Sequence, residues 1–389
     1  MLESIELTQE LVKIKSTSLE EKAIMLYAKE YFEKHNVPVS LDEFIVKQDE
    51  KAEKTYNVEV GNIEEAEVLI AAHLDTVEFD KEKWKESKPL SGDIKDKKLY
   101  GRGSADTKSN AAAAMVALKN AYQKYENPNV ALILEADEEG KFSGAKRFLS
   151  KYEDKSLNVK FAVMCEPEDL KIINEHKGLF HSKAVIEREM DETHASKAQK
   201  VDESDSVYQP SEHAIEEAIP VLNELKKFKD ELMNRKSGKL GPVTFTITVA
   251  QGGKSNNIIP QKFIIETDSR VPPRYSSEEL ARELKERVSP LTREGEFKTY
   301  AVHEAVRTQE NNQWMKLFQE SVEEAGVEPE TDTTDAFTEL GLYQEALGTS
   351  GVIFGTSPNK VIHNPDEYVD IESIPIVQET FENMIEKIN

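Results

Sequence analysis

The chain has 389 residues, a length that suggests two domains, three at most, and is ample for a sizeable core. Asp and Glu number 74 against 50 Lys and Arg, a net charge of −24, which argues against nucleic acid and acidic membrane surfaces as partners. A single cysteine, Cys165, rules out an internal disulfide framework and a thiolate metal cage. The 38% hydrophobic content falls in patterned runs, so the high charge does not imply disorder. Met1 to Ser18 is acidic and amphipathic, with no apolar stretch of the signal-peptide kind, and no run of 18 apolar residues occurs. The expectation is a soluble, cytoplasmic, globular protein.

Taken in chain order, Leu2–Val12 and Glu20–His35 read as helices by the spacing of their apolar residues. Val68–Ala72, Val130–Leu134 and Phe161–Met164 are apolar runs of strand length. The Ala-rich stretch Ala111–Tyr125 is a strong helix former, and Gly144–Lys151 is a second helix. Strands alternating with helices predict an α/β domain with a mixed, mainly parallel sheet. From about Gly178 the rhythm changes. Strand Leu179–Ile186 is followed by a polar, acidic loop (Glu187–Pro210) and helix Ser211–Met233. Strands Val243–Val249 and Lys262–Thr267, helix Ser276–Val288 with its Ser cap, and strand Phe297–His303 follow. That βαββαβ order predicts a ferredoxin-like unit inserted at 178–305 into a catalytic domain formed by 1–177 and 306–389. Helix Asn312–Ala325, strand Gly351–Phe354 and helix Ile374–Ile388 complete the outer domain.

Candidate chemistry gathers at or just past the ends of the α/β strands, the edge where open sheets bind ligands. His73 and Asp75 follow the first strand. Asp106 closes the run Gly101-Arg102-Gly103-Ser104-Ala105-Asp106 ahead of the Ala-rich helix. Asp137-Glu138-Glu139 follow the second strand and Glu166 the third. His363 lies in the loop beyond Gly351–Phe354. Each alone also fits a surface histidine, a helix cap or a solvated turn. The Gly-x-Gly is a weak phosphate-loop signal, because neither known phosphate-loop spacing follows. Together they supply two imidazoles and several carboxylates without thiols. That donor set suits a pair of Zn²⁺ ions, with Co²⁺ or Mn²⁺ as alternatives. Two metals that activate a water, with a carboxylate to move its proton, are the minimum kit for hydrolysing an amide.

These motifs resemble the co-catalytic dizinc peptidases and deacylases that include acetylornithine deacetylase, succinyl-diaminopimelate desuccinylase, aminoacylase and glutamate carboxypeptidase. The likeness runs from about Ser16 to Asp370. It rests on His73-x-Asp75, Gly101-Arg102-Gly103-x-x-Asp106-x-Lys108, Asp137-Glu138-Glu139-x-x-x-x-Gly144, Glu166-Pro167 and His363-x-x-x-Glu367-Tyr368, in that order. Glu166-Pro167 followed by His176-Lys177-Gly178 is most similar to the acetylornithine deacetylase members.

The resemblance implies that His73 binds one metal and Asp75 orients it. Asp106 would bridge both metals, Glu139 and His363 would hold the second, and Glu166 would complete the first. Glu138 would be the general base. It also implies a cis Asp106–Thr107 peptide, a substrate-gripping Arg270, an Asn257 beside the reacting carbonyl, and dimerisation through the inserted lid with His194 reaching the partner's site. The implied substrate is a small N-acyl amino acid or a short peptide. A carboxypeptidase or dipeptidase of the same family, and a metal-binding protein without activity, remain as alternatives. The chain departs from the family at Ser109, where Gly is usual, around His194, and at Thr334-Asp335-Ala336-Phe337, where Arg is usual in place of Phe337.

Overall fold

The computed structural model describes residues 2–48, 51–188, 199–201, 208–210, 213–236, 238–292 and 295–389. Two compact units emerge. One comprises Met1–Glu175, Arg307–Asp332 and Thr338–Asn389, the other His176–Val306 and Thr333–Phe337.

The first unit is built on a mixed sheet in the order Val39–Gln48, Lys51–Val60, Val130–Glu135, Val68–His73, Phe161–Cys165, Ser350–Phe354 and Ile172–His176. The four strands from Val130–Glu135 to Ser350–Phe354 are mutually parallel. Helices cover such a sheet on both faces, which is why these strands are near-continuous apolar runs buried along their length. The register sets His73 opposite Glu135 and Phe354 opposite Cys165, so the carboxyl ends of the four strands finish close to one level. Helix Ser109–Lys124 packs against Glu3–Lys13 and Ser373–Ile388. Its alanines are buried, and their small side chains allow that close approach.

Apolar spacing marks neither the hairpin Val39–Gln48/Lys51–Val60 nor helix Leu340–Leu347. The hairpin strands mix charged and apolar residues, and it is their ladder from Val39↔Val60 to Gln48↔Lys51 that fixes them. Gly144 shows a local need for glycine. A Cβ there would lie 2.6 Å from the backbone of Ala136. Helix Ser143–Lys151 thereby starts against the strand end that leads to Asp137.

The second unit has the expected βαββαβ order: Gly178–Glu187, Ala214–Met233, Thr244–Gly252, Lys262–Val271, Ser277–Val288 and Glu296–His303. Its sheet runs Thr244–Gly252, Lys262–Val271, Gly178–Glu187, Glu296–His303, antiparallel throughout. Phe180, Ala184 and Ile186 alternate inward beneath Val221, Leu225, Phe228, Leu280 and Leu284 of the two helices. The Ser276 hydroxyl accepts from the Glu279 N–H at 3.2 Å, the cap that the sequence announces. Most of the expected loop Glu187–Pro210 lies outside the described residues. Within it Gln199–Val201 pairs antiparallel with Tyr208–Pro210, so these six residues are paired strands rather than loop. Among the described residues no helix is long and apolar enough to cross a membrane.

Candidate active site

The carboxyl ends of the parallel strands present His73, the Asp137–Glu139 turn and Glu166 side by side, because strand register carries them there. Asp106 comes from the turn Ser104–Lys108 that leads into helix Ser109–Lys124, and its peptide bond to Thr107 is cis. The turn is tied down from several sides. The Thr107 hydroxyl donates to the Cys165 carbonyl at 2.9 Å, and Asn110 Nδ2 donates to Thr107 Oγ1 at 2.7 Å. Ser109, a departure from the family pattern, is buried with its hydroxyl 2.8 Å from that of Thr356.

Nε2 of His73 lies 3.0 Å from Oδ1 of Asp106. Nε2 of His363 lies 3.2 Å from Oδ2 of Asp106 and 3.0 Å from Oε1 of Glu139. Each oxygen of Asp106 thus faces a different imidazole. Oε1 of Glu166 and Oε2 of Glu138 stand 3.9 and 4.0 Å from His73 Nε2. Two trios, His73–Asp106–Glu166 and Asp106–Glu139–His363, each bring one donor atom per residue within 4.8 Å of the others. Asp106 belongs to both.

The carboxylate of Asp75 has partners beyond the expected His73. Its main partners are backbone N–H groups: Oδ1 accepts from Glu138 at 3.0 Å and Oδ2 from Glu139 at 3.2 Å, with the Ser18 hydroxyl at 2.7 Å. His73 Nδ1 lies 3.0 Å from the backbone carbonyl of Asp75 and 3.6 Å from its carboxylate. Buried Glu21 extends this bracket by accepting the Asp137 N–H at 3.2 Å. Three successive N–H groups of the acidic turn therefore end on two buried carboxylates. The sequence offered no sign of this role for Glu21.

Electrostatics at the site is dominated by burial. Desolvation opposes a charge on His73, but the carboxylates of Asp106 and Asp75 outweigh it and raise its pKa well above the usual range. Hydrogen bonds to Asp106 and Glu139 push His363 up to about 10. Burial raises Glu138, aided by the neighbouring Glu339 carboxylate. Burial and then the carboxylates of Asp106 and Glu138 raise Glu166. Glu339, absent from the sequence-derived set, puts its carboxylate within 4.8 Å of those of Glu138 and Glu166. Behind it the Tyr343 hydroxyl donates to buried Glu135. No motif marks Glu339, which follows the divergent Thr334–Phe337 segment.

This donor set fits a pair of divalent cations. Each trio offers one imidazole and two carboxylates with no thiolate, a combination suited to zinc, cobalt or manganese. A dication among buried carboxylates offsets the repulsion that raises Glu138 and Glu166. Metal ligation needs unprotonated imidazole, so uptake must displace the protons that the carboxylates favour on His73 and His363.

The other expected residues belong to the second unit. Arg270 Nε lies 3.2 Å from Oδ2 of Asp268, whose Oδ1 is 3.0 Å from His181 Nε2. Asn257 is exposed, and its Oδ1 accepts from the Ser255 hydroxyl at 2.5 Å. His194 lies outside the described residues. Phe337, where the family usually has Arg, stacks on His303 with ring centroids 5.1 Å apart and meets the edge of His176. Asp335 in the same segment pairs with Lys177 at 2.8 Å.

The chain is 26% identical over 324 residues to an acetylornithine deacetylase of Proteus mirabilis, covering 82% of this chain and 79% of that protein. An M20 family metallo-carboxypeptidase from Sulfolobus solfataricus shares the fold with a TM-score of 0.72 at 22% identity, over 99% of both chains. A tripeptidase from Staphylococcus aureus does so with a TM-score of 0.71 at 19% identity, over 99% of this chain and 98% of that one. Residues 69–387 match the profile of peptidase family M20/M25/M40, and with that match over most of its length the chain belongs to this family of hydrolases.

Proposed function

We propose that the protein is a metal-dependent amidohydrolase that removes the acyl group from a small N-acyl amino acid, in the manner of an acetylornithine deacetylase. The observation that carries this reading is the pair of donor trios sharing Asp106, with a carboxylate outside both, Glu138, beside them. His73, Asp106 and Glu166 would hold one Zn²⁺, and Asp106, Glu139 and His363 the other. Co²⁺ or Mn²⁺ would suit the same donors. When bound, the metal pair polarises the scissile carbonyl and lowers the pKa of the attacking water.

The chain's own groups do the rest. Glu138 takes the proton of the water as its oxygen attacks the amide carbonyl, then gives that proton to the departing amine nitrogen. Burial raises its pKa, which suits a carboxyl that must take up a proton and pass it on. Asp75 keeps Glu138 and Glu139 in place through their N–H groups. In the second unit Arg270 would receive the substrate carboxylate as a fork, since Asp268 engages its Nε. Asn257 would steady the reacting carbonyl. The second unit would serve as lid and dimer surface, with His194 supplied to the partner's site.

A substrate panel on Zn²⁺-loaded protein tests the reading. Acetate released from N-acetyl amino acids, N-acetylornithine among them, is the expected result. Turnover of short peptides alone would replace it with a carboxypeptidase or dipeptidase. Two bound zinc ions with no turnover of either class would make the chain a metal-binding protein without this activity.

A further inference from the structure

Strand Tyr368–Asp370 pairs antiparallel with Lys98–Tyr100, Tyr368 opposite Tyr100. This register sets Glu367 against the glycine-rich loop that follows Tyr100, and the Gly101 N–H donates to the Glu367 backbone carbonyl at 3.0 Å. The Glu367 side chain is fully buried. Its Oε1 accepts the N–H groups of Ala105 at 3.0 Å and Asp106 at 3.2 Å. Its Oε2 accepts from Arg102 Nη1 at 2.5 Å, and that guanidinium is itself buried. Gly103 has φ +81°, a left-handed conformation that curls the loop and is strained for other residues. N–H groups curled around one anion form a nest, the arrangement that loops use to bind phosphate. Here the nest is filled by the chain's own glutamate, so the weak phosphate signal of Gly101-Arg102-Gly103 has an internal explanation.

We propose that Glu367 is a positioning residue for the metal centre. Neutralised by Arg102, its carboxylate fixes the backbone of Ala105 and Asp106, so that the two Asp106 oxygens face His73 and His363 separately. The proposal rests on the reading of Asp106 as the ligand shared by both metals. Glu367 gives no donor atom to either trio; it reaches Asp106 only at the backbone, and its effect passes through the N–H groups of Ala105 and Asp106. With the acceptor gone, two buried N–H groups lose their partner and the turn can relax away from the geometry that sharing requires.

Glu367→Gln alone strands a buried Arg102 and can simply unfold the protein. The informative variants are therefore Arg102→Leu/Glu367→Leu, which removes both charges and the acceptor, and Arg102→Leu/Glu367→Gln, which removes the charges but keeps an amide oxygen for the N–H groups. Metal-free proteins are titrated with Zn²⁺ against a chromophoric chelator, and Co²⁺ absorption reports the symmetry of the site. Thermal melting of the same metal-free samples monitors the fold. The expected result is zinc affinity lowered about 10–100-fold, with altered Co²⁺ bands, in the Leu/Leu variant. The Leu/Gln variant should bind within about threefold of wild type, a rescue that loss of packing would not give. Wild-type affinity in the Leu/Leu variant, or an equal loss in the Leu/Gln variant, overturns the positioning role. A wild-type protein that takes up no zinc overturns the metal reading, and this proposal with it.

Discussion

In the second unit Glu224, Glu231 and Glu283 converge on Arg287, Asp268 sits between His181 and Arg270, and Lys183 pairs with Glu266. In the first unit buried Glu135 and Glu339 and half-buried Glu138 and Glu166 are gathered near one another, with His73 as the imidazole in their midst. The carboxyls respond in opposite directions. His181 and Arg270 hold Asp268 below its usual range against partial burial. Burial raises Glu135 and Glu339, both to about 8. Acids paired with cations stabilise a fold modestly or not at all, whereas uncompensated buried acids cost stability. A folded chain keeps the second kind where an external cation or a proton-transfer step uses them.

The largest effect that tests this contrast is on turnover. Glu138→Ala should lower the rate about 10²–10⁴-fold. Zinc content should stay at the wild-type level, because Glu138 stands outside both trios. Retained turnover, or loss of one zinc, would remove Glu138 from the role of base.

A smaller effect concerns Glu21, which burial and the nearby Asp75 carboxylate push up to about 7 from its ordinary value near 4.5. Between those pH values the folded protein holds a proton there that the unfolded chain releases. Stability therefore falls as pH rises through this window, by about 3 kcal/mol for the full shift. Glu21→Gln keeps an oxygen for the N–H groups of Leu19 and Asp137 and an amide hydrogen for the Thr55 hydroxyl. At pH 8 the metal-free variant should be more stable than wild type by up to about 3 kcal/mol, and the two should converge near pH 4.5. Denaturant melts at the two pH values decide it, and a constant difference would dismiss the account.

The smallest effect belongs to the second unit. Arg287→Met keeps an apolar stem near Phe228, whose ring centroid lies 5.2 Å from the guanidinium, but loses three carboxylate partners. The expected cost is about 1 kcal/mol, shrinking in molar salt as screening removes the ion pairs from the wild-type protein. A cost that ignores salt would mean that these pairs contribute by packing alone.

Much of the fold is legible in the chain. The apolar runs at Val68, Val130 and Phe161 mark buried parallel strands because their period matches no exposed element. The switch near Gly178 marks the βαββαβ unit. The hairpin Val39–Gln48/Lys51–Val60 is not legible, since its charged residues follow no simple alternation and its order comes from cross-strand pairing. At the site, the motifs mark His73, Asp106, Glu139, Glu166 and His363, and the structure brings them together. Asp75, marked by the motif as the partner of His73, also holds the N–H groups of Glu138 and Glu139, which no motif shows. Glu21, Glu135 and Glu339 carry no local signature, because only long-range packing gives them their neighbours.

The sequence by itself determined the kind of chemistry available: imidazole and carboxylate donors without thiols, on α/β strand ends, in an order shared with one hydrolase family. Those properties are carried by residue identity and short-range spacing. Only the tertiary structure decided which atoms meet. Strand register sets His73 level with the acidic turn, and the pairing of Tyr368 with Tyr100 delivers Glu367 to the turn that carries Asp106. Hydrogen bonds reach only about 3 Å, so their partners follow from the register of distant strands, which no local stretch of sequence encodes.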